Sequence, residues 1–197
     1  LRLFNVLKLE PNLGLRETLY RSYQDPADRY EGWKTRETFE AGAEMSAEFY
    51  RIYEKSAVSK DSDLFKVGKW MHTIEPKVSY RYSPRVSQSD LPVFDEVDRV
   101  PYTSQVTYGI TQRLAGKPEK EGAGSGSYEY AKLNLYQSYS FGDPLSRDSK
   151  GKGRSFSNIE AELWWSFNPY VSAQWDAEFN PYESNFDRLN ATLTVKD

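Results

Sequence analysis

One histidine and no cysteine leave this chain few ways to build a catalytic centre. Without thiols there is no disulfide framework, no thiolate metal site and no thiol nucleophile. A Ser-His hydrolase would need its base within reach of a serine, with a third group orienting the ring. His72 shares an extended segment with Ser79, but the two have opposite parity, so a strand sends them to opposite faces. An interface or neighbour-packing role is the better assignment for His72. The carboxylates fall into two rows, Glu40/Glu44/Glu48 and Glu160/Glu162/Asp176/Glu178. Each row shares a strand face and nothing more, which is what a solvated wall of charge would look like. The acids Asp90, Asp95, Glu96 and Asp98 lack the spacing of a calcium loop. No catalytic residue, cofactor or metal site is expected.

The elements that carry these residues alternate with a period of two. In the last quarter, Ile159, Ala161, Leu163, Trp165 and Phe167 interleave with Glu160, Glu162, Trp164, Ser166 and Asn168. After Asn168-Pro169-Tyr170 the pattern resumes, with Val171, Ala173, Trp175, Ala177 and Phe179 against Ser172, Gln174, Asp176 and Glu178. A second turn around 180–185 leads to Leu189, Ala191, Leu193 and Val195 against Arg188, Asn190, Thr192 and Thr194. This is a three-stranded meander with one apolar and one polar face.

The preceding segments read the same way. Strands are expected over Val6–Tyr20, Arg36–Glu54, Trp70–Tyr82, Tyr102–Leu114 and Tyr128–Phe141, with a bulge or kink at Pro11. Ala, Glu and Met in 36–54 favour a helix. A helix there would stack Glu40, Glu44 and Glu48 at like-charged i,i+4 positions, so the extended reading is preferred. The stretches 22–35, 55–69, 83–99, 115–127 and 142–154 read as connections, 115–127 being of low complexity. About eight strands with no helix between them make an all-β, antiparallel, up-and-down arrangement.

The alternation runs longer than the five or six residues typical of soluble strands. It matches the roughly 9–11 residues that cross a bilayer at a tilt. A row as charged as Glu160, Glu162, Asp176 and Glu178 does not suit a packed soluble core. A transmembrane β-barrel with a wet interior accommodates both faces. Trp164, Trp165, Phe167 and Tyr170 then read as part of an interfacial aromatic girdle. The expected lumen-facing residues are Glu75, Lys77, Arg81, Arg113 and Lys132, continuing through Glu160, Glu162, Gln174, Asp176, Glu178 and Arg188. The expected lipid-facing set is Leu13, Leu15, Val78, Ile110, Leu133 and Leu135, then Leu163, Trp165, Phe167, Trp175, Phe179 and Leu193.

Composition agrees. Mean hydropathy is −0.77 and aromatics make up 15% of the 197 residues. A barrel needs only alternate residues apolar, so low mean hydropathy does not count against it. A net charge of −3 argues against a nucleic-acid partner, which would require a basic excess. The chain opens on Leu1 near one alternating run and closes just after another, and reads as one segment, 1–197, of a longer protein.

Four segments in order carry a resemblance. They are His72-Thr73-Ile74-Glu75-Pro76, Leu91 to Arg99, Tyr108-Gly109-Ile110-Thr111-Gln112-Arg113-Leu114, and the meander from Ser155. Together they resemble the middle of the C-terminal barrel of the lipopolysaccharide-assembly (LptD) family, also known as organic solvent tolerance proteins. The resemblance implies a non-enzymatic transporter in the Gram-negative outer membrane, with a barrel larger than eight strands. It implies an LptE-like lipoprotein plug, and periplasmic bridge proteins that deliver lipopolysaccharide through an upstream domain. It also implies release of the lipid into the outer leaflet through a lateral opening. On that reading the acids of 90–98 would either be ordinary loop residues or meet the cation-bridged lipopolysaccharide layer. The cysteines that form interdomain disulfides in enterobacterial members have no counterpart in this stretch.

Three other readings fit parts of the pattern. A complete eight-stranded barrel, filled by its own side chains, would serve as an anchor or adhesion protein. An outer-membrane hydrolase would need a better-placed His72. A soluble lipocalin-like binder would turn its apolar face inward.

Overall fold

The computed structural model describes residues 2–3, 6–21, 33–54, 67–87, 100–118 and 127–196. Among them there is no helix, and twelve strands are present. The long ones are β2 (Leu7–Arg21), β3 (Trp33–Ala47), β5 (Val67–Ser83), β6 (Thr103–Pro118), β7 (Tyr128–Ser140), β10 (Ile159–Asn168), β11 (Val171–Asn180) and β12 (Asn185–Val195). Shorter pieces are β1 (Arg2–Leu3), β4 (Phe49–Glu54), β8 (Ser146–Arg147) and β9 (Gly153–Arg154). Every pairing is antiparallel, and the main sheet runs β1-β2-β3-β5-β6-β7-β10-β11-β12 with β4 also on β5. The sheet is open: β12 does not pair with β1 or β2. The up-and-down expectation is met, with eight long crossings.

The break between β3 and β4 has a single-residue cause. Ser46 pairs with Lys77 before it and Phe49 with Ile74 after it, so the register is the same on both sides. Pro76 of β5 sits opposite the gap and has no N–H to give to the ladder. The chain from Trp33 to Glu54 is therefore one crossing with a local defect, as the extended reading of 36–54 anticipates.

Several details differ from the sequence expectations. No bulge forms at Pro11; β2 pairs with β3 in one register from Leu7 opposite Ala47 to Arg21 opposite Trp33. On its other side β2 meets only the two-residue β1, so a missing N–H can face the open edge without cutting the ladder. The stretch 115–118 is strand, not loop, because it extends the β5–β6 hairpin to Val67 opposite Pro118. Cross-strand pairing there overrides a Gly- and Pro-containing composition. The connection 141–158 contains the small hairpin β8–β9. The loop acids Asp90, Asp95, Glu96 and Asp98, and 119–126 of the low-complexity stretch, lie outside the described residues.

No conventional core exists among the described residues. Only Tyr20, Val67, Val100 and Ala173 are buried apolar residues, whereas Leu13 and Leu15 are 73% and 82% exposed. Polar side chains such as Thr73, Ser104 and Ser166 are better buried than most leucines. A sheet of this kind, with an apolar face left open, needs a covering that water does not supply.

The sheet has two ends. One carries the two-residue turn at Pro169-Tyr170, together with Glu54, Val67, Pro118 and Tyr128; the other carries the turn 181–184 and the connection 141–158, together with Arg21, Trp33, Ser83 and Thr103. These are the Tyr170 end and the Tyr182 end.

Candidate functional site

Cross-strand partners share a face, so the registers decide which residues form a common surface. One row crosses all eight strands: Lys8, Ser46, Lys77, Gly109, Tyr136, Glu160, Glu178 and Arg188. Beside it runs Glu75, Thr111, Asn134, Glu162, Asp176 and Asn190, and then Thr73, Arg113, Lys132, Trp164, Gln174 and Thr192. On the other flank Arg81 stands between Gly42 and Gln105. All eleven residues that the sequence places on the polar face, Glu75 through Arg188, are thus on one surface. Trp164 lies here too, opposite Lys132 and Gln174, and not with the girdle that the sequence suggests for it. Adjacent residues of a strand point to opposite faces, so Trp164 and Trp165 cannot share a belt.

Charge on this surface is sorted. Strands β5 to β7 contribute Lys77, Arg81, Arg113 and Lys132. Lys77 pairs with Glu44 at 2.9 Å, and Arg113 with Glu75 at 3.0 Å and Glu129 at 3.8 Å. Strands β10 and β11 contribute Glu160 directly opposite Glu178, and Glu162 directly opposite Asp176. Neutral donors serve three of these carboxylates: the Tyr136 hydroxyl donates to Glu160 (2.8 Å), Asn134 to Glu162 (3.0 Å) and Gln174 to Asp176 (3.1 Å). Glu178 accepts from Asn158 (2.9 Å) and has Arg188 at 3.4 Å. Such opposed like charges destabilise a sheet unless water or a partner screens them.

On the middle strand of the first zone sits Gly109, opposite Tyr136. A Cβ at Gly109 would collide with the Leu135 carbonyl and the Tyr136 side chain. The result is a depression of about 360 Å³, lined by Lys77, Arg113, Lys132, Asn134 and Tyr136 among others. Sequence periodicity has no means of finding it, because a glycine leaves no mark in an apolar/polar alternation.

The opposite face holds the whole apolar set. Pro76, Ile110, Leu135, Ala161, Ala177 and Leu189 form one row, and Ile74, Gln112, Leu133, Leu163, Trp175 and Ala191 the next. Val78 pairs with Met45 and Tyr108, Leu13 with Ala41, Leu15 with Phe39, Phe179 with Phe186, and Leu193 with Ala173. Trp165 stacks on Phe167 at 5.9 Å. His72 belongs to this face, opposite Leu114, and its Nε2 lies 3.1 Å from the Gln112 side-chain oxygen. That contact lies in a shallow site with Tyr53, Leu133 and Ala131.

Aromatic rings gather at both ends of this face. Trp70, Tyr128 and Tyr130 make contacts of 4.9 Å at the Tyr170 end, near Trp165 and Phe167. At the Tyr182 end Tyr80 meets Phe141, Tyr139 meets Phe141 and Phe156, and Phe179 meets Phe186. Along β5, Trp70 to Tyr80 is about 34 Å of strand at about 3.4 Å per residue. Tilted by about 45°, that spans about 25 Å, the height of the lipid-facing band of outer-membrane barrels.

The Tyr182 end carries one further built feature. In the β8–β9 hairpin the Asp148 carboxylate accepts from the amides of Lys150 (3.1 Å) and Lys152 (2.9 Å), and from Arg154 Nε (3.1 Å) and Nη2 (2.7 Å). The Lys152 amide first, and Arg154 with it, hold the Asp148 carboxyl below the ordinary carboxylate range. Glu183 on the neighbouring turn accepts from the Ser149 amide at 2.7 Å, which lowers its own pKa. Arg154 stacks over Tyr182 at 4.8 Å, and the Tyr182 hydroxyl accepts from the Phe156 amide at 3.2 Å. Among the described residues no cluster of His, Cys, Asp and Glu is arranged to hold a metal ion, and no helix is long and apolar enough to cross a membrane.

The sequence has known counterparts. The family model for LptD, LPS transport system D, matches residues 5–197. The LPS-assembly protein LptD of Alkalilimnicola ehrlichii is 30% identical over 139 residues, covering 60% of this chain and 18% of that protein. The LPS-assembly protein LptD of Methylococcus capsulatus is 24% identical over 157 residues, covering 64% of this chain and 15% of that protein. The aligned part of this chain therefore corresponds to less than a fifth of either relative. The family is named for a transport system and not for a catalysed reaction, and it is one of outer-membrane β-barrels. With the match running from residue 5 to the last residue, and with an all-antiparallel sheet beneath it, the chain belongs to the LptD family.

Proposed function

We propose that residues 1–197 are one continuous wall segment of an outer-membrane barrel that delivers lipopolysaccharide to the outer leaflet. The apolar face, from Leu13 to Leu193, meets lipid. The charged face, from Glu75 to Arg188, lines the lumen. The observation that carries this is the pairing of an exposed apolar band, bounded by aromatic rings at both ends, with a charged face on the same strands. Only a wall between lipid and water satisfies both faces at once.

The rest of the transporter lies beyond this segment. In lipid each unpaired backbone group costs several kcal/mol, roughly the penalty for an unsatisfied polar group, so the outer edges of β2 and β12 require further strands. A barrel wider than eight strands leaves room for an LptE-like lipoprotein plug, whose polar groups would meet the sorted charges of the lumen face. Periplasmic bridge proteins would hand lipopolysaccharide to a domain elsewhere in the protein. The long described connection 141–158 lies at the Tyr182 end, which on the usual pattern of long external loops faces outward. The wall itself does no covalent chemistry.

Single cysteines placed along β7 in the whole protein test the assignment. Residues 132 and 134 should react with a membrane-impermeant maleimide once the lumen is wetted, whereas 133 and 135 should react only with a lipid-soluble one. Reaction of all four with the aqueous reagent would sink the membrane-wall reading and favour a soluble β-protein.

A further inference from the structure

The hairpin at the Tyr182 end has a charge that the lumen does not use. Its sequence, Ser146 to Arg154, holds four cations, Arg147, Lys150, Lys152 and Arg154, against the single carboxylate of Asp148. That carboxylate is consumed inside the hairpin, by Arg154 and by the amides of Lys150 and Lys152. Glu183, the nearest acid on the neighbouring turn, is occupied by the Ser149 amide. Arg147, Lys150 and Lys152 remain exposed and form no ion pair among the described residues; Arg147 donates only to the Gly151 carbonyl, at 3.1 Å. The turn that presents them is held by Gly151 N to Asp148 O (2.8 Å) and Asp148 N to Lys152 O (3.1 Å), with Gly151 at φ 76°. Only glycine takes that backbone conformation without strain.

The hairpin's roots are apolar. Phe156 packs on Tyr139 at 4.8 Å and Phe141 on Tyr139 at 5.0 Å, and Tyr139 belongs to the apolar face beside Val106 and Tyr80. Phe141 is 62% exposed. Three free cations thus stand just beyond the aromatic ring at one rim of the apolar band. That is where the charged headgroups of a lipid leaflet lie.

We propose that this hairpin is a headgroup-binding surface, in which Arg147, Lys150 and Lys152 contact the phosphates of anionic lipids while Phe141 and Phe156 anchor it at the interface. The proposal rests on the membrane-wall reading above. It names the lipid surface around the barrel as the occupant, and it ties the rim of the wall to the leaflet independently of what passes through the lumen. A phosphate-rich leaflet suits it because each basic side chain near such a surface gains from the negative potential there, and that gain is lost with salt.

The test uses the whole protein in nanodiscs of phosphatidylcholine alone, or of phosphatidylcholine with phosphatidylglycerol. Acylation of individual lysines by a neutral amine-reactive ester is read by mass spectrometry. Lys150 and Lys152 should be modified about fivefold more slowly in the anionic discs, a protection of the size expected for a basic residue at such a surface. Lys77, on the lumen face, should change little. Raising salt to about 0.5 M should restore the rate, since the Debye length then shrinks to a few ångströms. Equal rates in both lipids, or equal slowing of Lys77, would overturn the proposal. So would the same protection from inorganic phosphate added to phosphatidylcholine discs, because a free-anion site would then explain it. Insertion is scored separately: a protein that fails to enter either disc overturns the membrane-wall reading and this proposal with it.

Discussion

The two halves of the charged face solve the same problem differently. On β5 to β7 two of the four cations have an acid within reach: Lys77 has Glu44, and Arg113 has Glu75 and Glu129. On β10 and β11 four carboxylates face one another in pairs, and only Arg188 approaches as a counter-charge. The first zone is nearly balanced within itself; the second relies on neutral donors and on what surrounds it. A surface built this way has a lateral electrical polarity, drawing anionic groups toward β5–β7 and cationic groups toward β10–β12. On the proposed membrane-wall reading, a charged occupant of the lumen would be oriented by that polarity before any specific contact formed.

The comparison stands only if both zones share one wet face, and a charge placed on the other face probes this most strongly. Leu163→Arg, in the middle of the apolar band, should destabilise the membrane-embedded protein by about 2–4 kcal/mol, read as a fall in its unfolding midpoint in bilayers. Glu162→Arg, one residue away, should cost far less and even relieve the clash with Asp176. Equal costs at the two positions would remove the distinction between the faces.

The close approach of β6 and β7 inside the first zone comes next. Gly109→Val would force a side chain into the Leu135 carbonyl and Tyr136, with an expected loss of about 1–3 kcal/mol in the same measurement. A tolerated valine would mean that β6 and β7 are less tightly packed than their close approach at Gly109 implies.

Within the zones the effects should be smaller and of opposite sign. Glu75→Gln leaves Arg113 with only the 3.8 Å contact to Glu129, and should cost about 0.2–1 kcal/mol for a pair this accessible. Glu162→Gln keeps an acceptor for Asn134 but removes a charge opposite Asp176, and should gain about 0.2–1 kcal/mol. Losses of similar size at both positions would show that the acidic zone is as well compensated as the basic one.

The smallest effect is local and depends on pH. Folding lowers the pKa of Asp148, so its contribution is complete above the ordinary carboxylate range and fades as pH falls through the lowered value. A spin label at Lys150→Cys should keep an immobile spectrum near neutrality and loosen only below about pH 4, near the usual aspartate value. Loosening already at pH 6 would assign the order of this hairpin to some other group.

Much of this was legible from the sequence, for a reason that particular residues show. Leu163, Trp165 and Phe167 against Glu160 and Glu162 define two faces by alternation alone, and the strand registers preserve that division across the sheet. Periodicity cannot see what breaks it. Pro11 suggests a defect but sits beside a mostly open edge, whereas Pro76, counted simply as an apolar-face residue, interrupts the ladder to the neighbouring crossing. The pairing of Gly109 with Tyr136 depends on the register of β6 against β7, which neither strand contains. Asp148 reads as one more loop acid until Lys150, Lys152 and Arg154 fold back upon it.

The row from Lys8 to Arg188 has a geometric consequence. It starts one residue into β2 at the Tyr170 end and finishes near the Tyr182 end of β12. Hydrogen-bonded rows run across strands, so where strands lean by about 40° from a barrel axis the row must climb. At about 4.8 Å per strand it covers about 34 Å of wall and rises by about 20 Å. Lysine, tyrosine, glutamate and arginine on this row are therefore the treads of a spiral stair. A polar group that passed from each to the next would travel most of the way from one membrane surface to the other while moving around the barrel.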